Sequence, residues 1–268
     1  MKSEFDFIQH IKKKYSLNFI GDDCAVLPKD PETDMVVTAD LLVEDIDFRL
    51  DWTTPELLGH KALAVSLSDI AAMGAEATWA MLSIGVPKKI WNGMFVDQLY
   101  EGWFTLSKEF SVELVGGDVS RTPEKIVIDS IVGGEVRKGA AVTRSTAGAG
   151  DSIFVSGELG GAAAGLELLE QGRRLEPAKP GPECQLILKQ LKPVPRLREA
   201  ELLRNNSIAS AMIDLSDGLS SDLQHLVNAS GVGARIYYDA IPIDEIIFLT
   251  FDSQAVFEMA INGGEDFE

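Results

Sequence analysis

The chain has 268 residues with 24 Lys+Arg against 42 Asp+Glu, a formal net charge of −18, and 46% hydrophobic residues. That length holds two domains of ordinary size and is too great for a single small module. A surface so acidic repels phosphate backbones and anionic lipid, so neither nucleic acid nor membrane is expected as a partner.

Phe5, Ile8 and Ile11 recur at helical spacing, which predicts a first helix capped by Ser3 and running to about Tyr15, with Lys12-Lys13-Lys14 on its solvated side. Gly21-Asp22-Asp23 makes a turn into the apolar run Cys24 to Leu27, and Met35 to Ala39 reads as a strand ending on Asp40. Thr54-Pro55 is a cap followed by a first-turn proline, opening a helix that stops at Gly74. A strand from Thr78 to Val86, a helix from Trp91 to Phe110, a strand from Val112 to Val115 and another from Lys125 to Val136 follow in alternation.

The Gly-, Ala-, Ser- and Thr-rich stretch Arg137 to Gly150 is the expected domain boundary, dividing the chain into 1–137 and 138–268. Beyond it, strands are expected at Ser152 to Ser156, Ala211 to Leu215 and Ala234 to Tyr238. Helices are expected near Gly161 to Gln171, Glu183 to Leu191, Pro195 to Asn205, Gly218 to Ser230 and Ser253 to Ile261. The fold class is therefore α/β (α+β).

Cys24 and Cys184 form no CxxC pair, which points to a reduced, cytoplasmic setting. The longest uncharged stretch, Ala77 to Pro87, is well short of the ~20 apolar residues that span a bilayer.

Several acids sit where surface acids do not. Asp40 and Asp118 close apolar runs, Asp214 and Asp217 lie in Ile213-Asp214-Leu215-Ser216-Asp217-Gly218, Asp69 lies in the least charged part of its helix, and Asp22-Asp23 precedes an apolar run. Carboxylates gathered at core strand ends need a cation, and the basic residues stand at no matching positions. An all-oxygen set suits magnesium rather than zinc, and magnesium keeps positions open for phosphate oxygens. There is no GxxxxGK[ST] loop, no kinase triplet set, no dinucleotide fingerprint, no HExxH and no GxSxG. His10, His60 and His225 read as helix-surface residues, and Cys24 as a core residue whose acid neighbours raise its pKa.

These motifs carry a resemblance. Gly21-Asp22-Asp23-Cys24-Ala25-Val26-Leu27, Thr38-Ala39-Asp40, Lys61 to Gly74 with its Ala-Ala-Met-Gly ending, Gly116-Gly117-Asp118, Thr143-Arg144-Ser145, Ile213 to Leu219 and Gly263-Gly264-Glu265-Asp266 resemble, in order, the motif series of the thiamine-monophosphate kinases. That family lies within the aminoimidazole ribonucleotide synthetase-like superfamily.

The resemblance implies two α/β domains, the N-terminal one a mixed sheet with helices that forms a homodimer, and ATP-dependent phosphorylation of thiamine monophosphate to the diphosphate. It implies several Mg2+ ions held by Asp23, Thr38, Asp40, Asp69, Asp118, Asp214 and Asp217. It also implies ATP contacts from Tyr100, Gly117, Asp118, Arg144 and Ser216, and a contact of Glu265 with the thiamine part. Because the acceptor is already an ionised phosphate, no residue beyond the metal cluster need act as a base.

Three departures stand against the family pattern. Asp47 takes the place where many relatives carry His, so the second substrate contact falls on a carboxylate. Ala39 stands where relatives often have Thr or Ser, which leaves only its backbone carbonyl for a metal. The chain ends at Glu268, inside a loop after which relatives continue, so a truncated second domain is expected. The other readings are another ATP-using member of the superfamily, or a magnesium- and nucleotide-binding protein without turnover.

Overall fold

The computed structural model describes residues 4–91, 93–176 and 178–268, so the Ser3 cap lies outside the described residues. The first half is built on a six-stranded mixed sheet of β1 (Ala25–Pro28), β2 (Thr33–Val43), β3 (Glu76–Pro87), β4 (Glu113–Gly116), β5 (Val119–Thr122) and β6 (Val127–Arg137). The order is β1-β2-β6-β3-β4 with β5 also on β3; pairs up to β3 are antiparallel, and β4 and β5 lie parallel to it. The helices of this half are α1 (Glu4–Tyr15), α2 (Pro55–Ala72), a single turn α3 (Lys88–Trp91) and α4 (Phe95–Phe110).

Alternation along the strands sorts the residues onto two faces. Val36, Leu42, Ala80, Leu82, Ile84, Ile128 and Val132 are buried beneath the helices in one core with Leu63, Leu67 and Trp103. The opposite face carries Ala39, Ile131 and Met81 in one row and Leu41 beside Asp129 in the next. Leu41 is 58% exposed there.

Helix α2 is the axis of the molecule. Thr54 caps it by accepting the Leu57 N–H at 3.3 Å, Pro55 occupies its first turn, and 14 of its 18 residues are buried. A helix buried on all sides needs close neighbours, and two glycines provide one of them. A Cβ on Gly59 would lie 1.8 Å from the Leu99 carbonyl oxygen, and one on Gly102 would lie 1.8 Å from that of Glu56, so α2 and α4 touch backbone to backbone.

The second half contributes α5 (Gly161–Glu170), α6 (Pro182–Leu191), α7 (Leu197–Asn205), α8 (Leu219–Ser230) and α9 (Ser253–Asn262). Leu197 and Ala200 of α7 join the first core, whereas Leu168, Leu186, Ile187, Ile247 and Val256 form a core of their own. No described helix is long and apolar enough to cross a membrane.

Several expectations need correction. β2 runs through Asp40 to Val43, because Asp40 is hydrogen-bonded within the sheet–helix interface and does not end the strand. The helix expected from Trp91 to Phe110 is broken into α3 and α4, and β5 adds a strand after Gly117-Asp118. Ser152 to Ser156, Ala211 to Leu215 and Ala234 to Tyr238 are not strands, since apolar alternation makes a strand only where a neighbour completes the ladder. Leu159 with Ile243 is the single isolated bridge in this half among the described residues. His60 is buried, its Nε2 2.8 Å from the Pro193 carbonyl, and burial lowers its pKa; it is not a surface residue.

Candidate active site

Three segments distant in sequence converge on one point at the sheet–helix interface. Asp23 stands at the entry to β1, Asp69 in the last turn of α2, and Asp214 in the extended segment after α7. One carboxylate oxygen from each lies within 4.8 Å of the others. Burial, followed by the charges of Asp214 and Asp40, pushes Asp69 well above the ordinary carboxylate range. Burial, followed by Asp23, does the same to Asp214. Asp40 is raised too, mainly by burial.

Hydroxyls hold these acids in place. Thr38 of β2 donates to Asp69 Oδ2, Ser68 donates to Asp214 Oδ2 at 2.7 Å, and Ser66 donates to Asp40 Oδ2 at 2.7 Å. Ser66 and Ser68 were missed as functional residues. Their signal was the pattern Ser-Leu-Ser-Asp in an otherwise apolar helix, where hydroxyls need acceptors once buried.

A cation is also present, contrary to the expectation that none stands at a matching position. Arg144, in the segment between β6 and α5, donates from Nε to Asp23 Oδ2 at 3.0 Å and from a terminal nitrogen to Oδ1 at 2.5 Å. Its own N–H donates to Asp22 at 2.8 Å. Asp23 is 1% exposed at its side chain, so this fork neutralises a buried charge.

One arginine does not balance three buried carboxylates. The burial and, after it, the mutual repulsion that raise Asp69 and Asp214 are what a hard divalent cation relieves, and the donor set is all oxygen. Magnesium fits these residues. Cys24, buried beside them, has its thiol pKa raised well above the usual value, chiefly by burial and then by Asp69, Asp23 and Asp214, in line with a packing role.

The other candidates are dispersed around this group. Asp118 and Asp217 are exposed and stand outside the group of three. Gly117, at φ 151°, lies against the β3 backbone, where a Cβ would come 1.9 Å from the Leu82 carbonyl oxygen; it carries the chain from β4 to β5 and leaves Asp118 at that junction. Tyr100, half-buried on α4, packs on the first core with its ring 6.2 Å from that of Phe104. Ala39 directs its side chain to the exposed sheet face, away from Thr38 and Asp40.

Ser216 and Glu265 are neighbours: the Glu265 N–H donates to the Ser216 carbonyl at 2.9 Å, and Phe267 makes the same bond to Leu215. Glu265 and Phe267 hold φ values of 66° and 53°, a conformation that costs non-glycine residues energy and clusters at functional sites. Asp47 accepts the Val43 N–H at 2.7 Å and lines a small cavity with Phe48, Trp52, Lys61 and Gln190.

Comparison with known proteins gives the family. Family models described as AIR synthase related protein, N-terminal domain, and AIR synthase related protein, C-terminal domain, match residues 21–136 and 148–263. The thiamine-monophosphate kinase of Buchnera aphidicola subsp. Acyrthosiphon pisum is 40% identical over 249 residues, 93% of this chain and 74% of that protein. That of Bacillus subtilis is 38% identical over 93% of this chain and 75% of the relative. A solved structure described as AaThiL complexed with AMPPCP and TMP superposes with a TM-score of 0.91 at 33% identity, covering 100% of this chain and 85% of that one. Motif order, acid geometry and these matches agree: the chain belongs to the thiamine-monophosphate kinase family of AIR synthase related proteins.

Proposed function

We propose that this chain transfers the γ-phosphoryl group of ATP to thiamine monophosphate, giving thiamine diphosphate and ADP. The observation that carries the reading is the convergence of Asp23, Asp69 and Asp214 in a chain that superposes on a relative complexed with an ATP analogue and TMP. Two polyanions must meet for one phosphate to attack another, and their repulsion is the first barrier. A magnesium ion held by the acid cluster would supply positive charge to offset it.

The chain's own residues prepare that site. Asp23, Asp69 and Asp214 would hold the metal, with Thr38 and Asp40 beside them; Asp118 and Asp217 are assigned to further magnesium ions, and Ala39 would offer its carbonyl. Ser66, Ser68 and Thr38 fix the carboxylate rotamers, so little ordering remains when ligands arrive. Arg144 is suited to turn its fork from Asp23 to a phosphate once a metal satisfies Asp23. Gly117, Asp118, Ser216 and Tyr100 are assigned to ATP, and Asp47 and Glu265 to the organic part of the acceptor. The attacking oxygen is already ionised, so the chain needs no general base.

Two further assignments belong to this reading. The exposed apolar face bearing Ala39, Leu41 and Met81 supports a homodimer formed sheet against sheet. The two family-model matches and the segment between them support the division into 1–137 and 138–268. The function is tested with γ-labelled ATP and thiamine monophosphate: label recovered in thiamine diphosphate supports it, and label recovered only as inorganic phosphate contradicts it.

A further inference from the structure

Lys61 is a buried cation in the middle of α2, its side chain 4% exposed. An ammonium taken out of water is costly unless it is paired, so its presence in a helix with 14 of its 18 residues buried calls for a partner. The partner is Glu265. Lys61 Nζ donates to Glu265 Oε2 at 2.9 Å and to the Gln190 carbonyl at 3.3 Å. The Gln190 side-chain nitrogen donates to the same Oε2. Two donors from two elements, α2 and α6, thus converge on one carboxylate oxygen carried by a segment with a left-handed backbone.

Lys61 and Gln190 also line the cavity that contains Asp47, Phe48 and Trp52. In that cluster Gln190 Oε1 is buried and has no hydrogen-bond partner among the described residues. A buried acceptor left open beside a cavity of this kind calls for a donor, which a water or a ligand group supplies.

We infer that Lys61 is a positioning residue for the acceptor substrate: it anchors Glu265 from α2, so that the carboxylate meets the cationic, amine-bearing organic part of that substrate beside the Asp47 cavity. The inference rests on the proposed function and on the assignment of Glu265 to the thiamine part. Lys61 acts through Glu265 and leaves the phosphoryl end of the reaction untouched.

The test is steady-state kinetics of the full chain with Lys61→Met, Lys61→Arg, Glu265→Gln and the double variant Lys61→Met/Glu265→Gln. Lys61→Met raises the KM for thiamine monophosphate by about tenfold, a loss of about 1.4 kcal/mol, with the KM for ATP within twofold of wild type. Lys61→Arg recovers part of that loss, and the double variant matches Glu265→Gln alone. Equal changes in both KM values, or a double variant clearly worse than Glu265→Gln, overturn the role. If Lys61→Met does not fold, the comparison of Glu265→Gln with the double variant still decides, because the double variant leaves no unpaired charge. A wild-type chain that leaves thiamine monophosphate unchanged defeats the functional reading itself, whereas wild-type turnover with an unmoved KM in Lys61→Met defeats only the role of Lys61.

Discussion

Arg144 grips Asp23 with two nitrogens, at 3.0 and 2.5 Å, across the segment that joins the two halves of the chain. This fork directly neutralises a carboxylate that lies beside two more. Removing it leaves a buried charge uncompensated, which costs about 3–5 kcal/mol. Arg144→Ala is therefore expected to lose about 3 kcal/mol in urea unfolding without metal, and to regain much of it in millimolar magnesium. An equal loss with and without magnesium would show that Arg144 stabilises by packing alone.

The acids themselves should behave in the opposite way. Asp69 is raised by burial and by its acid neighbours, so an uncharged side chain there relieves repulsion in the absence of metal. Asp69→Asn is predicted to raise the metal-free melting temperature by a few degrees, equivalent to roughly 1 kcal/mol, and to abolish the further rise that magnesium gives wild type. A variant that melts lower than wild type without metal and still responds to magnesium would remove Asp69 from the ligand set.

Asp266 gives the fold a pH dependence of its own. Its carboxylate accepts the Gly160 N–H at 2.6 Å and the Ala162 N–H at 3.0 Å at the start of α5, while burial, the largest influence, raises its pKa to about 6. Between its unfolded value near ~4 and about 6 the native state binds more protons than the unfolded chain. Stability attributable to this group is thus full below pH ~4, falls as pH rises through that window, and is flat above it. Asp266→Asn should flatten that stretch of the curve of stability against pH. A curve with an unchanged slope between pH 4 and 6 would assign the dependence to other groups.

Much of the site was legible because its residue types are costly elsewhere. Asp23, Asp69 and Asp214 stood out in apolar surroundings, and the structure brings those three together. What was not legible is pairing at a distance. Arg144 with Asp23, and Lys61 with Glu265, are 121 and 204 residues apart, and no local pattern records which buried cation meets which acid. Most helices followed their spacing, with Thr54 and Pro55 opening α2, whereas the run expected from Trp91 to Phe110 broke into α3 and α4. The strands of the second half did not, since Phe154 and Tyr237 alternate like strand residues yet lie 88% and 66% exposed with no ladder beside them. Asp40 misled in the reverse direction: a charge that ends most strands is carried through this one by the Ser66 hydroxyl.

The contact of α2 with α4 tests the packing. Because a Cβ on Gly102 would meet the Glu56 carbonyl oxygen at 1.8 Å, Gly102→Ala must push two helices apart. A loss of about 3 kcal/mol is expected in chemical unfolding, near the upper end for overpacked cores. A change below about 0.5 kcal/mol, the range of ordinary surface substitutions, would mean that the helices do not touch there.

Phosphoryl transfer to thiamine monophosphate is expected to run on the acid cluster. Its most direct test is the rate of thiamine diphosphate formation by wild type and by Asp214→Asn, each followed across a magnesium titration that begins in EDTA. No product is expected in EDTA, the wild-type rate rises with magnesium, and Asp214→Asn loses at least about a thousandfold at saturating metal, or about 4 kcal/mol of transition-state stabilisation. Wild-type turnover in EDTA, or an Asp214→Asn variant within tenfold of wild type, would contradict it.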